Sequence, residues 1–319
     1  MSQMREFFTK CGKKIKDFFA KMTVEVNEKE DKEGWSLGDL LATVLRTMKL
    51  LWDVLLVFAL GGLLFGAGIA IGYAASLFNE TETPDPTQLV QQVRNISSVS
   101  KISYSDGSII SDIDSDLIRI PVQKDAISDN VKKAVIATED ENFNSHNGVV
   151  PKAVIRATLG SVAGVGSSSG GSTLTQQLIK QQVVGDAPTF SRKAAEIIDA
   201  LALERVMDKD EILTTYLNVS PFGRNNRGQN IAGVEAAAQG IFGVSAKDLT
   251  VPQAAFIAGL PQSPIVYSPY ASDGSLKTQE NQALGLDRAK DVLYNMYRTG
   301  AISKEEYDQY SQYDLSKDF

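Results

Sequence analysis

Hydrophobic positions along the chain fall into three regimes. Residues 54–78, VLLVFALGGLLFGAGIAIGYAASLF, carry no charged side chain. At about 1.5 Å per residue that run can cross a hydrocarbon core of about 30 Å, and it exceeds the roughly 7–15-residue apolar core of a cleavable signal peptide. It reads as a retained transmembrane helix. Residues 100–116, SKISYSDGSIISDIDSD, alternate around Asp106-Gly107, a hairpin signal. From residue 126 onward apolar positions recur at helical spacing, most clearly in 127–139, 173–183, 192–207, 209–218, 231–241 and 251–260. The expected order is a cytoplasmic segment over 1–53, the span at 54–78, a stalk and membrane-proximal β region over 79–125, and a mainly α domain over 126–319. Within that domain LGSVAGVGSSSGG, 159–171, is too rich in glycine and serine to pack as an element.

The segment before the span has a pattern of its own. Phe7, Phe8, Cys11, Ile15, Phe18, Phe19 and Met22 recur at helical spacing among five lysines. Such a helix either lies on the inner membrane surface or binds a partner helix. Ten Lys or Arg residues precede the span, Arg46 and Lys49 close to it, and the next basic residue after it is Arg94. The positive-inside rule then places the N-terminus in the cytoplasm and residues 79–319 outside.

Charge and composition narrow the chemistry. A net charge of −7 argues against a general nucleic-acid binder, so any bound anion must be held locally. The single cysteine, Cys11, excludes an intrachain disulfide framework and a cysteine zinc site; with His146 the only histidine, a multi-histidine metal site is excluded too.

Against that background three segments place polar groups where folding alone would not. In SDNVKKAVIATEDENF a helix capped by Ser128 carries Glu139, Asp140 and Glu141 at its C-terminal end, where the helix dipole disfavours carboxylates by up to about 1 kcal/mol. These are either solvated acids beyond the helix or groups placed for proton transfer. In TFSRKAAE the natural cap is Ser191, which sets Arg192 and Lys193 in the first turn against the dipole, with Glu196 on the same arc. Either an anion sits between these cations and the free backbone N–H groups, or the turn is salt-bridged at the surface. In GGSTLTQQLIKQQ, 170–182, Thr173, Gln176, Gln177 and Lys180 share an arc of about 100°, and Thr173-x-x-Gln176 fits a capping box. Together the three suggest a cleft with carboxyl groups and a phosphate-binding wall.

The motifs ATEDENFNSHNG (137–148), GGSTLTQQLIKQQ, RKAAEIIDALALE (192–204), KDEILTTYLN (209–218) and AAFIAGLPQSPIVYSP (254–269) stand in an order and spacing that resembles the peptidoglycan glycosyltransferase domain, family 51, of class A penicillin-binding proteins. The resemblance covers about residues 95–310. It implies a lysozyme-like helical main lobe with a small mobile jaw at about 149–171. It also implies polymerisation of lipid II into β-1,4-linked glycan on the outer face of the cytoplasmic membrane, inhibited by moenomycin. Matched motif by motif, Glu139 takes the place of the general base, and Glu196 that of the second glutamate that helps the pyrophosphate leave, directly or through a divalent ion such as Mg or Mn. Thr173, Gln177, Lys180, Arg192 and Lys193 match the donor-pyrophosphate wall, with Ser172 and Gln176 completing its polar stripe. Phe143 and His146 match groove residues, and Asp140 takes a supporting role. The implied partners are lipid II, the growing glycan chain, the bacterial membrane and cell-wall assembly proteins.

Some positions depart from that pattern. Gln181 and Thr214 stand where the family often has Asn and Glu, and the loop RNNRGQNIAG is longer than usual. The only Ser-x-x-Lys, Ser98 to Lys101, lies in the β region and no Lys-Thr-Gly occurs, so no transpeptidase activity is expected of this chain. The rival readings are a hydrolase or lytic transglycosylase on the same fold, and a non-catalytic membrane scaffold.

Overall fold

The structure, a computed structural model, describes residues 13, 16–17, 20, 36–81, 84–96, 101–103, 109–112, 117–154, 156 and 171–319. By internal contacts the chain divides into two units, 1–74 and 75–319. Most of the basic amphipathic segment expected over 7–22, and most of the proposed jaw, lie outside the described residues.

Helix α1, Leu37–Glu80, is longer than the uncharged run that predicted it. It begins at Ser36, whose hydroxyl accepts the Asp39 N–H at 3.2 Å. Lack of charge marks a span, but helix continuation requires only that no breaker intervene; residues 37–53 contain neither proline nor an interior glycine pair. The Leu37–Tyr73 stretch is long and apolar enough to cross a membrane, and its large side chains are exposed.

The second unit is mainly α. Within the 79–125 region, where no helix was expected, lies helix α2, Pro86–Arg94, capped by Asp85 with a proline at its start. Leu89 and Val93 on α2 are buried in the core, and Arg94 Nη2 donates to Glu211 at 2.6 Å. Strands β1, Lys101–Ser103, and β2, Ile109–Asp112, pair antiparallel as the alternation predicted, with the turn itself outside the described residues. Strand β3, Leu117–Arg119, leads to helix α3, Asp129–Glu139.

Next come α4, Leu174–Ile179, and α5, Phe190–Leu203; α6, Lys209–Val219, follows. Strands β4, Pro221–Arg224, and β5, Asn230–Ala232, precede the short helix α7, Val234–Ala237. The chain closes with α8, Val251–Gly259, α9, Pro264–Tyr267, α10, Gln279–Arg298, and α11, Lys304–Ser311. The six segments of strongest helical period each contain a helix.

The core is organised around α8. VPQAAFIAG is apolar on nearly every side, and Pro252 through Gly259 are all buried, as a helix without a polar face must be. It packs between α3 and α10, so the helix ending in Glu139 rests on the most buried element of the unit. On the other side α4 packs against α5 and α6. A three-stranded sheet of order β3-β5-β4, not foreseen from the sequence, ties residues 117–119 to 230–232 in parallel. Asn218, at the end of α6, fixes the chain after β3: its Oδ1 accepts Val122 N–H at 2.9 Å and its Nδ2 donates to Val122 O at 2.8 Å.

Candidate functional site

Helix α3 starts where expected, with Ser128 Oγ accepting the Asn130 N–H at 3.2 Å. It ends at Glu139, and Asp140 turns the chain away. The Asp140 carboxylate is buried, and its Oδ2 takes two hydrogen bonds, from His146 Nε2 at 2.8 Å and from the Leu174 N–H at 3.0 Å. His146 Nδ1 accepts the Gly148 N–H at 3.0 Å, which leaves the proton of the neutral ring on Nε2 and points it at Asp140. Gly148 has φ of 90°, and a side chain there would meet the Ala200 carbonyl at 2.6 Å. Residues 140–148 thus form a clasp that joins α3, α4 and α5.

That clasp changes the expected roles of two groove residues. Phe143 is 1% exposed, with Lys209 Nζ 4.4 Å above its ring. The His146 side chain is 8% exposed. Both side chains hold the loop, and neither is among the residues that line the cavity beside Glu139. Lys209 completes the support, donating at 2.7 Å to the His146 carbonyl and to Glu204, which also accepts from Thr175 Oγ1 at 2.6 Å.

The polar arc of GGSTLTQQLIKQQ divides in the same way. Thr173 is the N-cap of α4 in the expected capping box with Gln176: Thr173 Oγ1 accepts Gln176 N–H at 3.1 Å, and Gln176 Oε1 accepts Thr173 N–H at 3.1 Å. The Thr173 hydroxyl also donates to the Gly148 carbonyl at 2.5 Å. Both side chains are buried and cap the helix, and Thr173 also borders the cavity beside Glu139 described below. Gln177 and Lys180 remain. Gln177 Nε2 donates to Glu139 Oε2 at 2.9 Å, while Gln177 Oε1 accepts from the Tyr216 hydroxyl at 3.1 Å. Lys180 opens a wide helical turn, Lys180–Val184, and pairs with the exposed Asp186 at 2.8 Å. Lys180, and more weakly Arg192, hold the Asp186 carboxyl below the usual carboxylate range.

The cap of α5 lies two residues earlier than predicted: Thr189 Oγ1, not Ser191, accepts the Arg192 N–H at 3.1 Å. Arg192 and Lys193 nevertheless stay in the opening turns. The anion between them is internal. Glu196, 1% exposed, takes Arg192 Nη1 on Oε2 at 2.6 Å and Lys193 Nζ on Oε1. Lys193 Nζ also donates to Ser172 Oγ at 3.0 Å. With both carboxylate oxygens engaged by cations, Glu196 as arranged does not fit a divalent ion, and no group of three or more His, Cys, Asp or Glu able to hold one occurs among the described residues.

A cavity of about 220 Å³ opens beside Glu139, lined among others by Asn142, Arg156, Ser172 and Arg298. Arg298, the last residue of α10, pairs with Glu141 at 2.6 Å. Ser172 links this cavity to Lys193, and Gln177 links Glu139 to the helix that carries Lys180. Among the described residues Glu139 makes one hydrogen bond, through Oε2, which leaves Oε1 open. A carboxylate with one free oxygen, beside a cavity and a cationic wall, suits removal of a proton from a group that attacks a phosphorylated centre. Tyr216, Asp186 and Arg298 had no role in the sequence reading. Tyr216 stood inside a quoted motif, but only its contact with Gln177 reveals its place.

Residues 106–297 match the family model described as Transglycosylase. Curated relatives are named Penicillin-binding protein 1A. That of Clostridium perfringens (strain 13 / Type A) is 36% identical over 79% of this chain and 36% of its own. That of Escherichia coli (strain K12) is 34% identical over 80% of this chain and 28% of its own. This chain therefore spans about a third of the length of the relatives it matches. The solved structure of Penicillin-Binding Protein 1A from Haemophilus influenzae is similar over 69% of this chain and 21% of that chain, with a TM-score of 0.37 and 23% identity. A family match that runs from residue 106 through α3, α4, α5 and α6 into α10 encloses every residue of the Glu139 site but Arg298, and the chain belongs to the transglycosylase family.

Proposed function

We propose that this chain is a peptidoglycan glycosyltransferase that polymerises lipid II into β-1,4-linked glycan, with inversion and release of undecaprenyl pyrophosphate. The observation that carries the reading is the open Oε1 of Glu139 beside a cavity whose Ser172 wall leads to Lys193. Glu139 removes the proton of the acceptor 4-hydroxyl as that oxygen attacks the donor's anomeric carbon, and the bond to pyrophosphate breaks on the opposite face. Charge that builds on the leaving oxygens is met by Lys180, Arg192 and Lys193, fixed in place before reaction. Glu196 keeps the last two from repelling one another and orients them. Ser172 and Gln177 add hydrogen bonds without fixed charge, which suits a product that must slide. Helix α1 anchors the enzyme in the cell membrane as a single span, with its basic N-terminal segment cytoplasmic and the catalytic unit outside, where cell-wall assembly proteins would meet it.

The test is gel analysis of labelled lipid II incubated with the detergent-solubilised full chain. The reading expects a ladder of glycan products, blocked by moenomycin and lost in Lys180→Ala. Lipid II left intact while finished glycan is cut would assign the chain to the hydrolases instead.

A further inference from the structure

Gln177 touches the proposed base, yet nothing about a glutamine fixes which end of its amide does so. An amide that turned its carbonyl towards Glu139 would set two acceptors face to face. The carboxylate, which only accepts, already calls for the NH₂ end, and Tyr216 holds the amide from its other side. The Tyr216 side chain is fully buried on α6, and its hydroxyl lies 3.1 Å from Gln177 Oε1. Burial, and to a lesser degree the Glu139 charge, push its pKa far above the usual tyrosine value, while a hydrogen bond from Ser220 acts the other way. The hydroxyl therefore keeps its proton at every physiological pH and always has one to donate.

We propose that Tyr216 is a positioning residue for the transfer reaction: by donating to Gln177 Oε1 it locks the amide with its NH₂ towards Glu139 Oε2, and so reserves Oε1 for the acceptor hydroxyl. The inference rests on reading Glu139 as the base. Tyr216 itself touches neither substrate nor reacting atoms. Its effect reaches the chemistry in two ways. The Gln177 hydrogen bond occupies Oε2, so a proton taken by the carboxylate goes to Oε1. It also holds the carboxylate plane, so Oε1 meets the incoming hydroxyl at one angle. Without the Tyr216 proton Gln177 Oε1 loses its anchor, the amide no longer holds a fixed place against Glu139, and both advantages weaken.

The experiment is Tyr216→Phe in the detergent-solubilised full chain, which deletes one oxygen and keeps the ring. Lipid II polymerisation is followed from pH 5 to 9 beside a thermal melt. The expected result is a fall in kcat of about 10- to 100-fold with KM changed less than about 2-fold, equivalent to one or two factors of ten in rate at near-constant binding. The acid limb of kcat/KM moves to higher pH, because a base that has lost its donor holds its proton more tightly. In the double variant with Gln177→Ala, loss of Tyr216 adds nothing. A uniform loss at all pH values with the acid limb unmoved, or additive effects in the double variant, would overturn the proposal by making Tyr216 a core residue only. If Tyr216→Phe does not fold, Gln177→Glu decides, since a carboxylate at 177 can take the Tyr216 proton but offers Glu139 no donor: it must lose rate as Gln177→Ala does, and wild-type kcat in either variant overturns the proposal. Failure of the base reading looks different: Glu139→Gln would then polymerise at the wild-type rate.

Discussion

Arg192 Nη1 meets Glu196 Oε2 at 2.6 Å, one helical turn apart, on a carboxylate that solvent hardly reaches. Lys193 occupies the other oxygen, so two cations that strain against the start of α5 are neutralised from within the same helix. Removing the acid strands both. Glu196→Gln is expected to cost about 2–3 kcal/mol of unfolding free energy in a urea titration, whereas Arg192→Ala, which leaves Lys193 on the carboxylate, costs less. Polymerisation falls in both, by about 100-fold or more for Glu196→Gln, as donors to the leaving group lose their aim.

Asp140 holds the clasp, and its loss should be read in stability before activity. One buried oxygen accepts both the His146 ring and the Leu174 backbone. Asp140→Ala is predicted to lower stability by about 3 kcal/mol and to expose residues 141–147 to limited proteolysis. A variant with wild-type melting and no new cleavage in that loop would show that the clasp does not depend on this carboxylate.

Asp186 competes with any anion that approaches Lys180. The pair is exposed and screened, so Asp186→Asn should leave the melting temperature unchanged. With the competitor gone, KM for lipid II should fall about 2- to 5-fold at low salt, and the gain should disappear in high salt. A KM that rises would assign Asp186 to the substrate side of the wall.

Asp199 is buried on α5, and burial raises its pKa. It makes no hydrogen bond or ion pair among the described residues. A carboxyl whose folded pKa lies above its unfolded one favours folding while protonated, so its contribution is full at acid pH and is lost as pH rises through the folded pKa. Asp199→Asn is therefore expected to raise the melting temperature at pH 7, with the gain shrinking as pH falls towards the unfolded carboxylate range. A gain that persists unchanged in acid would point to a cause other than charge.

Much of this arrangement was legible because helices announce themselves locally. The Ser128 cap, the Thr173 and Gln176 box, and the positions of α5, α6 and α8 follow from period and capping chemistry within a single segment. The β3-β5-β4 sheet does not, since strands of three or four residues carry too little alternation and β3 pairs with a partner more than a hundred residues away. The arc of α4 shows the same limit within the site: its polarity was readable, but not that Thr173 and Gln176 face inward while Gln177 and Lys180 remain. Ser191 and Thr189 are both hydroxyl caps two residues apart, and only the backbone geometry selects Thr189. Phe143 and His146 carry the chemistry of a groove and the burial of a core, a choice made by the packing of Gly148 against α5.

The central claim is that Glu139, with one oxygen held by Gln177 and the other open, is the base of a glycan polymerase. The most direct measurement is the initial rate of labelled lipid II polymerisation by Glu139→Gln beside the wild-type chain, with matched thermal melts. Loss of a positioned base predicts a fall of at least about 10²- to 10⁴-fold in a protein that still folds. A Glu139→Gln chain that melts like the wild type and polymerises within about twofold of its rate would contradict the account.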